Sequence, residues 1–390
     1  MRNLIRIGSR LILAVALLNL PAFIAGSAHA TVLCFGKPVT IFGTSNDEDI
    51  HGTPHDDVIY GAGGYDDISG GKGNDRICGG SGGDSLFGGP GRDRLNPQGG
   101  QSTGGAGDDI IKKGAARYDD APQGVVVNLG SGDATGAGHD TLIDVHTVDG
   151  SAYADHLKGS SASDGLFGGR GNDVILGRGG KDYLQGEQGD DKEDGGAGQD
   201  KLLNAAGDDL LKGSGGIDEA FFDLGGPVTV NLSTGKAVGG GHDRLAGIEN
   251  VTGSIYNDAI TGDPNANVIH GIGGGDTIKG KGGDDHLEGD DGADHIYGGG
   301  GYDQLLGGYG VDFLDGGSLS DTLDGSGYVE GTRLIDDSAD TLLGGTGHDA
   351  LYGGEGDDLL DGQGGTDDFA DGEAGTDTCY AEGTINCEAP

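Results

Sequence analysis

Residues 70–78 read GGKGNDRIC, 79–87 read GGSGGDSLF and 88–96 read GGPGRDRLN. The period is nine: Gly-Gly-x-Gly-x-Asp-x-U-x, with U large and apolar. Glycine at three of nine places forbids a stable helix. One apolar residue in nine cannot build a core within a single unit. Such a chain can bury its apolar residues only by stacking one unit on the next. The units before these, at 61–69, 52–60 and 43–51, decay progressively from the pattern, and one more stands alone at 104–112. The frame returns at 150–221, at 253–324 and at 335–370. In all, about 27 units share it.

Composition follows from the repeat. Glycine is 89 of 390 residues, and Asp+Glu outnumber Lys+Arg by 65 to 23, a net charge of -42. There is no Trp and one Met. These values exclude an ordinary enzyme core. They exclude a nucleic-acid binder, which needs basic surface. Collagen is excluded because glycine does not fall at every third place. The choice left is a disordered acidic chain or a repeat protein whose charge something neutralises.

The spacing supplies that something. Calcium takes six to eight oxygens from carboxylates and carbonyls in flexible geometry. A glycine-rich turn can fold carbonyls inward, and the sixth-position Asp brings the charge. The x-U-x that follows reads as a short strand with U inward. Two nonads then make one coil of 18 residues, with strands on opposite sides of a thin core, coils about 4.8 Å apart, and ions between turns. The long blocks hold about 6, 8, 8 and 4 nonads, whole coils in each case, about 13 in all. Glu193 falls at a U position of unit 186–194 and predicts a local defect or a lost strand.

A larger repeat overlies the nonads. Val127–Leu142 and Val230–Leu245 share V-x-N-L-x-x-G-x-A-x-G-x-G-H-D-x-L. Both copies open with alternating apolar residues, a strand signal. They read as spacers within one solenoid, each near the length of two coils. His139 and His242 recur in them before Asp, where a structural hydrogen bond is the expected role.

The pattern resembles the RTX, or hemolysin-type calcium-binding, repeat family, and the resemblance covers nearly all of residues 43–380. It implies an all-β, right-handed parallel β-roll holding multiple Ca2+ ions between turns. The carboxylates that match by position are Asp66, Asp75, Asp84, Asp93, Asp109, Asp173, Asp182, Asp200, Asp209, Asp276, Asp285, Asp294, Asp303, Asp312, Asp349, Asp358 and Asp367. Carbonyls of fourth-position glycines such as Gly73, Gly82, Gly91 and Gly171 join them. Asp155, Asp164, Asp258 and Asp321 hold the sixth place but lack the fourth-position glycine. Roughly fifteen to twenty ions would offset about 30 to 40 negative charges.

The ends carry a different signal. Arg2, Arg6 and Arg10 precede an apolar run, and Ala28-His29-Ala30 has the small residues of a cleavage site, so residues 1–30 read as a secretory signal peptide. The cysteines are Cys34, Cys78, Cys379 and Cys387. An even count in an exported chain suggests two disulfides with three possible pairings. Cys34–Cys78 and Cys379–Cys387 is the pairing favoured here, because each bond would then staple one end. This differs from RTX toxins, many of which leave by a one-step route with an uncleaved C-terminal signal. The ends look instead like the short exported calcium-binding proteins of the family.

The expected organisation is a leader (1–30), a cap strand (31–42), repeat blocks at 43–112, 150–221, 253–324 and 325–370, spacer coils at 113–149 and 222–252, and a disulfide cap (371–390). No other stretch is long enough for a catalytic domain. Gly79–Gly83 formally matches Gly-x-Ser-x-Gly, which chance supplies in so glycine-rich a chain. The expectation is a secreted, monomeric calcium-binding protein, not an enzyme, without nucleic-acid or membrane-spanning partners. The alternatives are a calcium-rigidified adhesin facing glycans or proteins of a cell surface or matrix, and the accessory chain of a secreted enzyme or toxin.

Overall fold

In the computed structural model, residues 31–222, 225–326, 328–329, 332–333 and 338–387 are described. The leader expected over residues 1–30 lies outside them. Each nonad does what its spacing dictates. The glycine-rich turn reverses the chain, and three residues extend with the middle one inward. Ile59, Ile77, Leu95 and Ile111 stack in one sheet, Ile68 and Leu86 in the other, all with 1% exposure or less. Register is 18 residues throughout the regular stretches: Ile59 lies beside Ile77 and Ile68 beside Leu86, in parallel ladders. The result is a parallel β-roll of two facing sheets around a core one side chain deep per rung. Its only helical element among the described residues is a 3-10 turn, Leu232–Thr234. No described helix is long and apolar enough to cross a membrane.

The first sheet carries 22 strands and the second 18 among the described residues. That exceeds the thirteen or so coils expected, because degenerate units such as Asp49–His51 and Gln101–Thr103 still form rungs. The spacers account for the four extra strands. Neither is a pair of ordinary coils. In each, the chain runs out along Val126–Asn128, back along Asp133–Thr135 and out again along His139–Ile143, an antiparallel meander spliced into the first sheet. Thr229–Asn231, Lys236–Val238 and His242–Ala246 repeat it. The short turns at Gly132 and Gly235, both at positive φ, make the first reversal. The outer strands of each meander rejoin the parallel ladders, Ile110 beside Thr141 and Val126 beside His156.

Two further expectations are corrected. Glu193 costs no strand: Lys192–Gly198 is continuous, and Glu193 stands in the apolar ladder between Ile175 and Leu211. The backbone N–H of Gly186 donates to its Oε1 at 2.6 Å, which holds the carboxyl in place. The last block does not begin at 325. Strand Phe313–Ser318 pairs directly with Thr341–Thr346, so the segment between 325 and 340 is an insertion into one turn. It carries a separate antiparallel pair, Tyr328–Val329 with Thr332–Arg333.

The cysteines pair Cys34–Cys78 and Cys379–Cys387. The first bond ties the hairpin of Leu33–Cys34 and Lys37–Pro38 to the strand Arg76–Ser81. The second joins the rung Thr378–Tyr380 to the chain just beyond the final strand, Gly383–Ile385.

Candidate metal centres

The sixth-position aspartates lie beneath the turns. Apart from Asp367, every carboxylate matched by position is exposed by 5% or less. Each is held by the coil before it. Asp57 donates its N–H to Asp75 Oδ1 at 2.8 Å, Asp75 to Asp93 at 2.7 Å, and Asp93 to Asp109 at 2.8 Å. The second sheet repeats this, with Asp182 to Asp200 at 2.9 Å and Asp285 to Asp303 at 2.9 Å. The carbonyl of the earlier Asp closes the link by accepting the N–H after the later one, as Asp57 does from Arg76. Rows of carboxylates therefore run along both sheets in register with the strands.

One oxygen of each carboxylate is thus satisfied. The other is not. Oδ2 of Asp66, Asp75, Asp84, Asp93, Asp109, Asp173, Asp182, Asp200, Asp276, Asp285, Asp294, Asp303 and Asp349 is buried with no hydrogen-bond partner. The first-position glycine explains the space beside it. A Cβ on Gly70 would press on Asp75 Oδ2 and on the carbonyl oxygen of Gly88. Gly168 stands in the same way between Asp173 Oδ2 and the Gly186 carbonyl, and Gly271 between Asp276 Oδ2 and the Gly289 carbonyl. The fourth-position glycines bring carbonyls close from coil to coil. A Cβ on Gly91 would overlap the Gly73 carbonyl, one on Gly82 the Gly64 carbonyl, and one on Gly189 the Gly171 carbonyl.

A buried carboxylate oxygen without a donor demands a proton or a cation. Burial pushes Asp276 up to about 8, aided by the charges of Asp294, Asp258 and Asp290 and opposed by the Asp258 N–H. Burial likewise raises Asp93, Asp109, Asp173, Asp209 and Asp285 to about 7, and Asp66, Asp75, Asp182 and Asp294 to about 6. The donor set around them is all oxygen, carboxylate and carbonyl, which fits a hard divalent ion.

The family model of the RTX calcium-binding nonapeptide repeat matches residues 42–77, 147–175, 167–202, 245–271, 270–305 and 335–369. The chain belongs to the RTX nonapeptide-repeat family. No curated protein matches it. RTX repeats bind calcium, and the unpartnered carboxylate oxygens fit that ion. The RTX ladder also runs on past the matched segments, through Asp84, Asp93, Asp109, Asp312 and Asp321.

Not every expected ligand takes the same place. Asp367 is displaced: its side chain is 87% exposed, and Asp368 takes the ladder position, accepting the Asp349 N–H at 3.0 Å. The unit that begins at Gly362 has one residue too many in its turn, so a nine-residue frame lands one short. Asp155, Asp164 and Asp258 are in the ladder, but their Oδ2 is satisfied. Ser151, Ser160 and Ser254 donate backbone N–H to them at 2.5, 2.6 and 2.6 Å, and the hydroxyls of Ser151 and Ser254 add a bond to Oδ1. Thr53 does the same for Asp57 through both N–H and hydroxyl. Asp321 differs from these, since its Oδ2 has no partner.

The cause is the second position of the nonad. Within the blocks this residue has positive φ, whether it is Gly71, Gly169 and Gly299 or Arg178, Glu187 and Lys281. At Thr53, Ser151, Ser160 and Ser254 φ is not positive, and the N–H meets the carboxylate instead.

Reasoning from the strict frame also missed ladder members. Asp191 and Asp218 hold the sixth place of units 186–194 and 213–221 and end with an unpartnered Oδ2. Asp140 and Asp243, which follow the recurrent His139 and His242, continue the ladder through the meanders. Asp340 and Asp377 continue it in the last block. The histidines themselves are exposed, and their backbone N–H groups donate to Asp108 and Asp208.

Proposed function

We propose that this chain is exported and folds outside the cell as it binds multiple calcium ions, acting as a binding and structural protein without catalytic chemistry of its own. The observation that carries this reading is the row of buried, donorless Oδ2 atoms on both sheets. At neutral pH those charges repel along the roll, and one apolar residue per rung is a thin core to set against the entropy of ordering nine. A divalent ion bridging a carboxylate and nearby carbonyls removes the repulsion and ties neighbouring coils.

The basic and apolar character of residues 1–30 supports export. So do the two disulfides, which form and persist in oxidising compartments. Extracellular calcium modules bind at roughly 10⁻⁴–10⁻³ M. A chain with such sites stays unfolded at cytosolic calcium and folds after export. Far-UV circular dichroism of the chain from Thr31 onward, with calcium and with chelator, tests the reading. Calcium should induce the strand signal at neutral pH and chelator should abolish it. A strand signal indifferent to both overturns the proposal.

A further inference from the structure

The second sheet carries a group of side chains on its outer face that the calcium ladder does not use. His270 ends the strand Val268–His270, and Glu288 lies beside it in register on the next strand, His286–Asp291. The neighbours Ile269 and Leu287 point into the core, so His270 and Glu288 point out. His270 Nδ1 is 2.6 Å from Glu288 Oε2. Asp290 follows two residues on, with φ at +69°. Ligand atoms of His270, Glu288 and Asp290 all lie within 4.8 Å of one another, and all three residues are half-buried. An independent observation points to a ligand: Asp290 Oδ2 is buried and makes no hydrogen bond.

We propose that His270, Glu288 and Asp290 form a binding site for a borderline divalent cation of the zinc class, separate from the calcium ladder. Charge balance argues for it. With a proton alone, one imidazolium faces two carboxylates and leaves a net negative charge, deepened by Glu219 and Asp291 nearby. With a divalent ion the imidazole is neutral and the group balances. Ligand type selects the ion. Calcium takes oxygens in sixes to eights. One imidazole nitrogen with two carboxylates is a three-ligand set suited to zinc, cobalt, nickel or copper, with a position left open. His286, whose ring lies edge-on to His270 with centroids 6.3 Å apart, flanks the site.

The test uses the whole exported chain in saturating calcium, which occupies the all-oxygen sites. Zn2+ binding is followed by calorimetry and Co2+ binding by its visible absorption. The expected result is one equivalent bound with the intense absorption of a four- or five-coordinate cobalt. His270→Gln should abolish that absorption and weaken zinc by more than tenfold, and Asp290→Asn should weaken it by about tenfold. Both variants should keep the calcium-induced strand signal. Equal zinc affinity in the parent and His270→Gln overturns the proposal. If the variant does not fold, X-ray absorption of the zinc-loaded parent decides: one imidazole nitrogen in the shell supports the site, and a shell of oxygen alone overturns it.

Discussion

The coils that open a block and the coils inside it use the same aspartate in two ways. At 52–60, 150–167 and 253–261 the carboxylate is sealed by Thr53, Ser151, Ser160 or Ser254, and the coil needs nothing from outside. At 168–203 and 271–306 the second residue of the turn has positive φ, no donor reaches Oδ2, and the oxygen is left for a cation. The difference lies in one backbone dihedral and one hydroxyl per turn. Units that look like decayed repeats are, on this comparison, coils that hold their shape without the ion. Each block therefore opens on a template to which ion-dependent coils can add.

The largest test of that division is to remove the ion and vary pH. Burial raises the interior carboxylates, Asp276 to about 8 and Asp173 and Asp285 to about 7. A carboxyl whose pKa is higher folded than unfolded binds more protons in the folded state. Its penalty is absent below the unfolded value near 3.8, grows as pH rises, and is complete above the folded value. Protons should thus replace calcium in acid. In chelator, the strand signal should be absent at pH 8 and return by about pH 5, and the calcium midpoint should rise as pH falls through the same window. Hydrogen exchange along a calcium titration should protect 150–167 and 253–261 at lower calcium than 173–203 and 276–306. Uniform protection at a single midpoint would erase the distinction between the two kinds of coil.

Glu193 offers a second way to press on the interior coils. Its carboxyl is wholly buried, its pKa is pushed well up by that burial, and its Oε2 has no partner. Glu193→Leu would continue the ladder of Ile175 and Leu211. Replacing a buried ionisable group with a packed apolar one stabilises by about 1–4 kcal/mol. The sign with pH follows the same rule as above: the gain should be larger at pH 8 than at pH 5. Thermal unfolding of the calcium-loaded protein at both values measures it. A loss of stability would instead mean that the carboxyl has a role in the site beside Asp191.

Much of this was legible in the nonad. The frame placed the strands, the inward U residues and the aspartate rows, because a strict period leaves one stacking geometry. Three things escaped it for physical reasons. Asp368 replaces Asp367 because a turn can absorb one extra residue without disturbing the strands on either side. The meanders at 126–143 and 229–246 insert strands by antiparallel pairing, which an 18-residue register cannot express. The sealed coils were read as degenerate because Ser or Thr at the second position breaks the glycine pattern. That residue is itself the signal, since a short hydroxyl at ordinary φ can reach the carboxylate four residues on.

The smallest and most local test separates hydroxyl from backbone at Ser254. Its N–H donates to Asp258 Oδ2 at 2.6 Å, and its hydroxyl donates to Asp258 Oδ1 at 3.0 Å while accepting the Tyr256 N–H at 3.2 Å. Ser254→Ala removes only the hydroxyl and keeps a residue that disfavours positive φ, so it should cost about 1 kcal/mol and leave the calcium midpoint of 253–261 nearly in place. Ser254→Gly removes the hydroxyl and also frees φ to turn positive. That coil can then adopt the interior conformation, in which Asp258 Oδ2 loses its last donor. Its midpoint in hydrogen exchange should move up toward that of 276–306, with the rest of the roll unchanged. If alanine and glycine behave alike, the hydroxyl alone distinguishes the two kinds of coil. If only glycine shifts the midpoint, the dihedral at the second position sets whether an RTX coil of this chain depends on the ion.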